Sequence, residues 1–417
     1  MKDVYIIGAA STRFHKWPDK SFKDLTREAY EEVLADAGLP DGEKIDFAYF
    51  GNCAMHHWGQ GLIRGQVCFL PLINQGRFPE RTPIINVEGA CATGSMALHG
   101  AWKDVLSGQS HLALALGVEK IFIPDNPALT FALFDDALDN FDRQDLDAVY
   151  QGVAARCGRT FQPGPDRTVF MDTYAMQACY HMWRYGTTQR QIAAGAAKNH
   201  HHATMNPKAQ YRFEVPLDKV LADRVISYPL TRSMCAPIGD GAAAALLCSP
   251  EFLVELPATV QARAVKIKAS ALTSGKFRGY DEPSLSHVAA QRAYAMAGVE
   301  PGDIDVAEVH DATSFCEIYQ AEMLGFCPLG QGGPLVESGA TALGGSIPIN
   351  TSGGLVSKGH PIGATGLSMI HELCAQLRGE AGPRQVAGAR LALQENGGGV
   401  VSLEEAACSV VILEKDA

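Results

Sequence analysis

Apolar and polar positions switch between two periods along the chain, and the switches mark its elements. Residues 27–39, REAYEEVLADAGL, carry apolar side chains at helical intervals and stop at an Ala-Gly pair. IDFAYFGNCA from Ile45 then reads as a strand running into a turn. The same order returns later in RAYAMAGVE from Arg292 and IDVAEVHDAT from Ile304. Upstream of each copy lies a candidate first strand, DVYIIGA from Asp3 and VKIKASA from Val265. A third pair follows in register. PIINVEGACATGSMALHGA from Pro83 and PINTSGGLVSKGHPIGATGLSMIHEL from Pro348 each read as strand, Gly-rich turn and helix opening on Ala-Thr-Gly, with Cys91 opposite Gly363.

Three matches in one order predict two related α/β halves, residues 1–120 plus 234–262 and residues 263–417, each a mixed sheet covered by helices. Residues 121–233 break the pattern and read as an inserted segment. It holds the acidic, aromatic run FALFDDALDNFDRQDLDAVY, a Pro-Gly loop at 162–167 and helical patterning through MDTYAMQACYHMWRYG. The acidic run is expected to be a solvated helix face, and Phe131, Phe134, Phe141 and Tyr150 are expected to pack in the core. The first half resumes at IGDGAAAALLCS, a buried strand.

Composition removes several classes of function. The 417 residues are 47% hydrophobic, and 46 acids against 35 bases give a net charge of −11, the opposite of a nucleic-acid-binding face. No apolar run reaches the length of a membrane helix. The start MKDVYIIGAAST lacks a secretory pattern and the end EKDA is not a targeting address, so the cytoplasm is the expected compartment. Eleven cysteines with no CxxC pair fit a reducing compartment and exclude a zinc knuckle within the chain. His200–His202 lack acidic or Cys partners at helical spacing and read as solvated surface. There is no GxxxxGK[ST], GxSxG or HExxH.

Cys91 differs from the other ten cysteines by context. It follows a predicted strand and the turn Glu88-Gly89-Ala90, and opens CATGSMALHGAWKDVL, whose Met96, Leu98, Ala101, Trp102 and Val105 recur at helical intervals. A thiol at a helix N-terminus meets free N–H groups and the positive dipole end, which favour thiolate. His360 lies in the equivalent turn of the second half, so a twofold relation between halves would bring it to Cys91, the pairing that activates a nucleophilic thiol. His310 ends a predicted strand, where an imidazole N–H can polarise a carbonyl oxygen. Gln394–Gly399, QENGGG, reads as a flexible, donor-rich loop before the last strand.

NVEGACATGSMAL, GVEKI from Gly117, APIGDGAAAALLCS, HDATSF and GHPIGATG, in this order and spacing, resemble the motifs of the thiolases, specifically the sterol-carrier-protein-type and archaeal-type branch. The resemblance covers almost the whole chain. It implies a thiolase fold of two βαβαβαββ halves in an α-β-α-β-α core, with an inserted loop domain that handles coenzyme A. It implies Cys91 as nucleophile, His360 as its activator and His310 at the oxyanion site of the enolate. The Cys91 amide and one from the loop of Asn396, Gly398 and Gly399 would hold the acyl-enzyme oxyanion. Coenzyme A enters as substrate; no permanent cofactor and no metal is implied.

The resemblance further implies a homodimer. Many thiolases carry a second cysteine in CxG or HDCF as acid/base, but the corresponding positions here lie in QENGGG and at Ala312; His310, His360 or an ordered water could serve instead, with Cys316 and Cys408 as further candidates. That departure brings in a small OB-fold zinc-ribbon partner subunit. The expected reaction is cleavage of a β-oxoacyl-CoA by free CoA, with an aromatic or branched substrate such as 2-benzoylsuccinyl-CoA giving benzoyl-CoA and succinyl-CoA. The alternatives are a retro-aldolase acting on a β-hydroxyacyl-CoA and a non-catalytic acyl-CoA-binding subunit.

Overall fold

A computed structural model describes residues 3–415; Met1, Lys2, Asp416 and Ala417, part of the ends read for targeting signals, lie outside the described residues. Eleven strands form: β1 (Tyr5–Ser11), β2 (Phe47–Gly51), β3 (Ile84–Val87), β4 (Leu112–Glu119), β5 (Val225–Ser227), β6 (Leu230–Thr231), β7 (Gly241–Cys248), β8 (Val265–Ser274), β9 (Val306–Glu308), β10 (Leu391–Gly398) and β11 (Ala407–Glu414). Nine of them run β3-β2-β4-β7-β1-β8-β11-β10-β9, and β5 and β6 make a separate hairpin. The nine-stranded order is two copies of one topology joined back to back. In the first half β2 is parallel to β3 and β4, and β7 is antiparallel to β4 and β1. In the second, β9 is parallel to β10, β11 is antiparallel to β10 and β8, and the counterpart of β3 shrinks to a parallel bridge between Ala307 and Ile349. The halves meet at β1 and β8 through Tyr5↔Lys266 and Ile6↔Val265.

Strand alternation sorts the core into layers. Ile7, Leu114, Leu116, Ala244 and Leu246 face outward against Leu25, Ala29, Tyr30 and Val33 of the helix Phe22–Asp36. That helix starts on a Ser21–Asp24 capping box, which occupies amides the first turn would otherwise leave unpaired. Ile6, Ala113, Ala115, Ala243 and Ala245 face inward, where the small alanines let the helices Thr93–Ser107 and Thr365–Arg378 approach. Those two helices form the central layer. Ala289, Ala290, Ala293 and Tyr294 of the helix Leu285–Ala297 cover the far face of the second half. Between residues 121 and 233 lie five helices and the β5–β6 hairpin. Leu146, Tyr150, Val153, Phe161 and Phe170 of this segment pack with Phe315, Ile318 and Val336 of the second half. No helix among the described residues is long and apolar enough to cross a membrane.

Three local expectations need correction. His200 and His202 are buried, and only His201 is exposed. His202 donates from Nδ1 to the Asn350 carbonyl (3.0 Å) and accepts the Leu343 amide at Nε2 (3.2 Å), while burial lowers its pKa to about 3. The helix Gln189–Thr204 lies on the second half, so two of the three rings point into protein. Residues 394–398 are not a loop; they continue β10 in register with Val411 through Ala407. Of the four aromatic residues expected in the core, Tyr150 is buried, Phe131 and Phe134 are partly buried on a cavity wall, and Phe141 is fully exposed.

The halves are also tied electrostatically. Asp36, at the end of its helix, accepts the Ala9 amide (2.8 Å), Arg263 (2.7 Å) and Arg378 (2.8 Å). Burial would raise the Asp36 pKa, but Arg378, the Ala9 amide and Arg263 together hold it below the usual carboxylate value. Arg378 is only 2% exposed, so Asp36→Ala strands its charge and should cost about 3 kcal/mol in chemical denaturation. Because the folded pKa is depressed, this contribution is present above the unfolded value of about 3.9 and is lost as pH falls through the lower folded value. The difference between wild type and variant should therefore narrow in acid.

Candidate active site

The Gly-rich turn of each repeat sits on the fourth strand of the other. A Cβ on Gly398 of β10 would lie 2.3 Å from the Ala92 nitrogen and 2.8 Å from the Cys91 nitrogen. A Cβ on Gly117 of β4 would lie 2.1 Å from the Gly363 carbonyl oxygen. Only glycine permits either approach, and together they bring the Cys91 turn and the His360 turn to one place. Cys91 occupies a single 3-10 turn, Ala90–Ala92, ahead of the helix Thr93–Ser107. Ala90 takes a left-handed φ of 49°, a conformation that costs a non-glycine residue about 1 kcal/mol and reverses the chain just before the thiol.

Cys91 Sγ is 3.1 Å from His360 Nε2. His360 Nδ1 is 2.7 Å from Thr365 Oγ1, whose single hydroxyl proton is directed to the Pro361 carbonyl (3.0 Å). The hydroxyl therefore accepts, Nδ1 holds the imidazole proton, and Nε2 presents its lone pair to the thiol. That is the tautomer of a general base. His310 Nε2 lies 3.4 Å from the same nitrogen and can bond to it only as a donor. The His310 amide is fixed at 3.0 Å by the Glu395 carboxyl, whose pKa burial raises to about 8.

The electrostatics differ from the expected ready-made thiolate. Burial raises the Cys91 pKa to about 12, although the backbone N–H groups of Cys91 and Gly399 pull the other way. Burial lowers His310 to about 4 and His360 well below its usual value. One short turn of helix does not offset the loss of water around a buried anion. Both shifts favour a neutral thiol hydrogen-bonded to a neutral imidazole over a thiolate–imidazolium pair.

Cys91 and His360 open onto a cavity of about 1010 Å³, whose wall includes Phe131, Phe134, Phe170, Tyr174 and Phe213, with Arg167, Arg224 and Arg232 contributing charge. The structure brings Cys91, His360 and His310 together. Gly398 lines the cavity beneath Cys91, whereas Asn396 does not, because its carboxamide accepts from Ser95 Oγ (2.8 Å) inside the central layer. The loop amide facing the sulfur belongs to Gly399.

Cys408 and Cys316 are buried, the former against Glu395 and the latter against Thr313. Two further thiols line the cavity: Cys53, 3.0 Å from Thr93 Oγ1 and 3.4 Å from the Ala90 carbonyl, and Cys235, which donates to the Thr231 carbonyl. Sequence reasoning missed Cys53, yet the repeat contained the signal: aligning IDFAYFGNCA with IDVAEVHDAT puts Cys53 opposite Ala312. Thr365 and Glu395 lay inside quoted motifs without a role, since neither spacing nor residue type shows what they touch.

The family model described as "Thiolase, N-terminal domain" matches residues 4–225, and "Thiolase C-terminal domain-like" matches residues 283–415. Among curated proteins, the chain is 38% identical to the acetyl-CoA acetyltransferase of Methanothermobacter thermautotrophicus over 96% of this chain and 97% of that one. It is 37% identical to human sterol carrier protein 2 over 96% of this chain and 71% of that protein. It is 30% identical to the benzoylsuccinyl-CoA thiolase subunit BbsB of Thauera aromatica, covering 92% of this chain and 91% of that subunit. Among solved structures, the Ltp2-ChsH2(DUF35) aldolase matches with a TM-score of 0.75 at 23% identity, covering 99% of this chain and 98% of that chain. The Acat5 thiolase from Ascaris suum in complex with coenzyme A matches with a TM-score of 0.69 at 19% identity over the whole of both chains. At these identities the two structures establish the fold.

A neutral resting pair has a measurable signature. Alkylation of Cys91 by iodoacetamide should be slow at neutral pH and keep rising with pH through the alkaline range, as for a thiol near 12. A plateau near about pH 7 would instead reveal a preformed thiolate–imidazolium pair.

Proposed function

The chain belongs to the thiolase family, and within it we propose a degradative thiolase in which free CoA cleaves a β-oxoacyl-CoA through an acyl group carried on Cys91. The 3.1 Å contact between Cys91 Sγ and a correctly tautomerised His360 Nε2 carries this reading. His360 takes the thiol proton as sulfur adds to the β-keto carbon. The Cα–Cβ bond then breaks, leaving a thioester on Cys91 and the enolate of an acyl-CoA beside His310. A proton returned from His360 to the enolate carbon releases that acyl-CoA. The thiol of free CoA next gives its proton to His360, attacks the thioester and leaves with the acyl group, restoring Cys91–SH. The amides of Cys91 and Gly399, whose dipoles favour negative charge at the sulfur, would take the thioester oxygen as it gains charge; one such donor is commonly worth about 3 kcal/mol of barrier.

The cavity supports a bulky acyl group. Its volume of about 1010 Å³ is at the upper end for small-molecule sites, and the aromatic wall suits an aromatic or branched substrate such as 2-benzoylsuccinyl-CoA. Arg167, Arg224 and Arg232 suit the phosphates of coenzyme A. Ala312 at the usual second-cysteine position keeps a small OB-fold zinc-ribbon partner subunit in the proposal.

Mass spectrometry of the purified chain after β-oxoacyl-CoA without free CoA should find the acyl group on Cys91, and Cys91→Ser should lose at least ~10³-fold in kcat. A Cys91→Ser protein that cleaved a β-hydroxyacyl-CoA with no CoA would establish an aldolase. A strong preference for acetoacetyl-CoA over aromatic oxoacyl-CoAs would remove the bulky substrate, and full activity of the chain alone would remove the partner.

A homodimer belongs to the same reading. β3 ends the sheet with an unpaired edge on which Ile85 is 44% exposed, and Leu62, Ile63 and Leu70 are exposed on the adjoining segment. Two copies can join such edges across a twofold axis and cover this apolar surface. Light scattering should report a dimer that Ile85→Lys converts to monomer; a monomeric wild type at micromolar concentration would refute it.

A further inference from the structure

The cavity mouth holds a side-chain cluster that acyl transfer leaves unused. His56 and His57 lie in the turn Ala54–Trp58 after β2, and Asp136 lies just past the helix Pro127–Asp135. Both imidazoles converge on one carboxylate oxygen, with His56 Nε2 at 2.9 Å and His57 Nε2 at 2.7 Å from Asp136 Oδ2. Their ring centroids are 4.1 Å apart. His56 Nδ1 is 2.8 Å from the Cys53 carbonyl, which can only accept. Nδ1 therefore carries a proton, and in a neutral His56 the Nε2 lone pair faces the carboxylate oxygen. Two acceptors at that distance repel unless a cation joins them, either a second proton on the ring or a metal ion. A backbone carbonyl holding the remote ring nitrogen is also how metal-binding histidines are commonly oriented.

We propose that His56 Nε2, His57 Nε2 and the Asp136 carboxylate bind one divalent transition-metal ion of the zinc class at the mouth of the cavity. Two imidazoles and a carboxylate suit zinc, cobalt or nickel, whereas magnesium and calcium favour all-oxygen shells. The three donor atoms lie within 4.8 Å of one another. Bonds of about 2.0–2.1 Å in a tetrahedral site space donors about 3.3 Å apart, so the side chains must part by about half an ångström. His56 and Asp136 are 43% and 50% exposed and free to do so. Six aspartates between residues 135 and 147 face a single basic residue, Arg143, and this acidity concentrates cations at the site. The bound ion pins the insertion to the first repeat across the cavity entrance and keeps at least one coordination position for water or a ligand there.

The test must separate this site from Cys91, His310 and His360, which also offer three donors close together. Cobalt(II) is therefore titrated into the full-length Cys91→Ala protein. One equivalent should produce visible d–d bands without a thiolate charge-transfer band, and zinc should displace it. In the same background His57→Ala and Asp136→Asn should each weaken binding at least tenfold, with the circular dichroism of the metal-free protein unchanged. Absence of the bands at micromolar cobalt, or bands that survive both substitutions, would overturn the proposal. The readout is metal binding, so it stands or falls separately from the acyl-transfer reading.

Discussion

Everything at the site depends on two backbones being allowed to touch. The turn carrying Cys91 rests on β10 because Gly398 has no side chain, and the turn carrying His360 rests on β4 because Gly117 has none. The exchange is reciprocal, so Cys91 of one repeat is held by a strand of the other. The central helices Thr93–Ser107 and Thr365–Arg378 follow directly from those turns and share one apolar layer. Neither turn has its seat within its own half, which makes the duplication a mechanical requirement of the site.

Much of this was legible in the chain before any coordinates. Internal similarity exposed the repeats, since helix and strand periods recur in one order, and the two halves of the sheet correspond except where the counterpart of β3 is only a bridge at Ile349. Cys91 and His360 stood out because their turns occupy equivalent places in the two copies, and His310 because it ends a strand. What stayed hidden depends on contacts between distant segments. QENGGG has the composition of a loop, yet pairing with β11 draws it into a strand and turns Asn396 toward Ser95. His200 and His202 look like surface until the helix bearing them is laid on the second half, where Ser357 and Asn350 receive them. Phe141 erred in the opposite direction, because apolar character does not report exposure at the tip of an inserted segment.

Burial changes the expected chemistry of the thiol more than the helix end does. Desolvation penalises thiolate and imidazolium alike, so it raises Cys91 and lowers both histidines, and no compensating charge stands beside them. Thr365 then acquires a role that charge alone would not give it. By accepting a hydrogen bond from Nδ1 it leaves Nε2 as the acceptor, so tautomer choice turns the lone pair towards the thiol.

Charge is segregated within the cavity in the same sense. Around the sulfur, Glu405 and Glu119 add to the burial that raises Cys91, but burial also raises both carboxyls, Glu119 to about 8, and so weakens their repulsion of a forming thiolate. Full charges are kept farther out, on the arginines of the wall and the aspartates of the insertion. In the proposed reaction an anionic substrate would bind through its phosphates where water still screens the cost, while its reacting carbon enters a region of low dielectric. There the amides of Cys91 and Gly399 act at greater strength than they would in water. The burial that keeps the resting thiol protonated thus also strengthens the dipoles that favour its addition product.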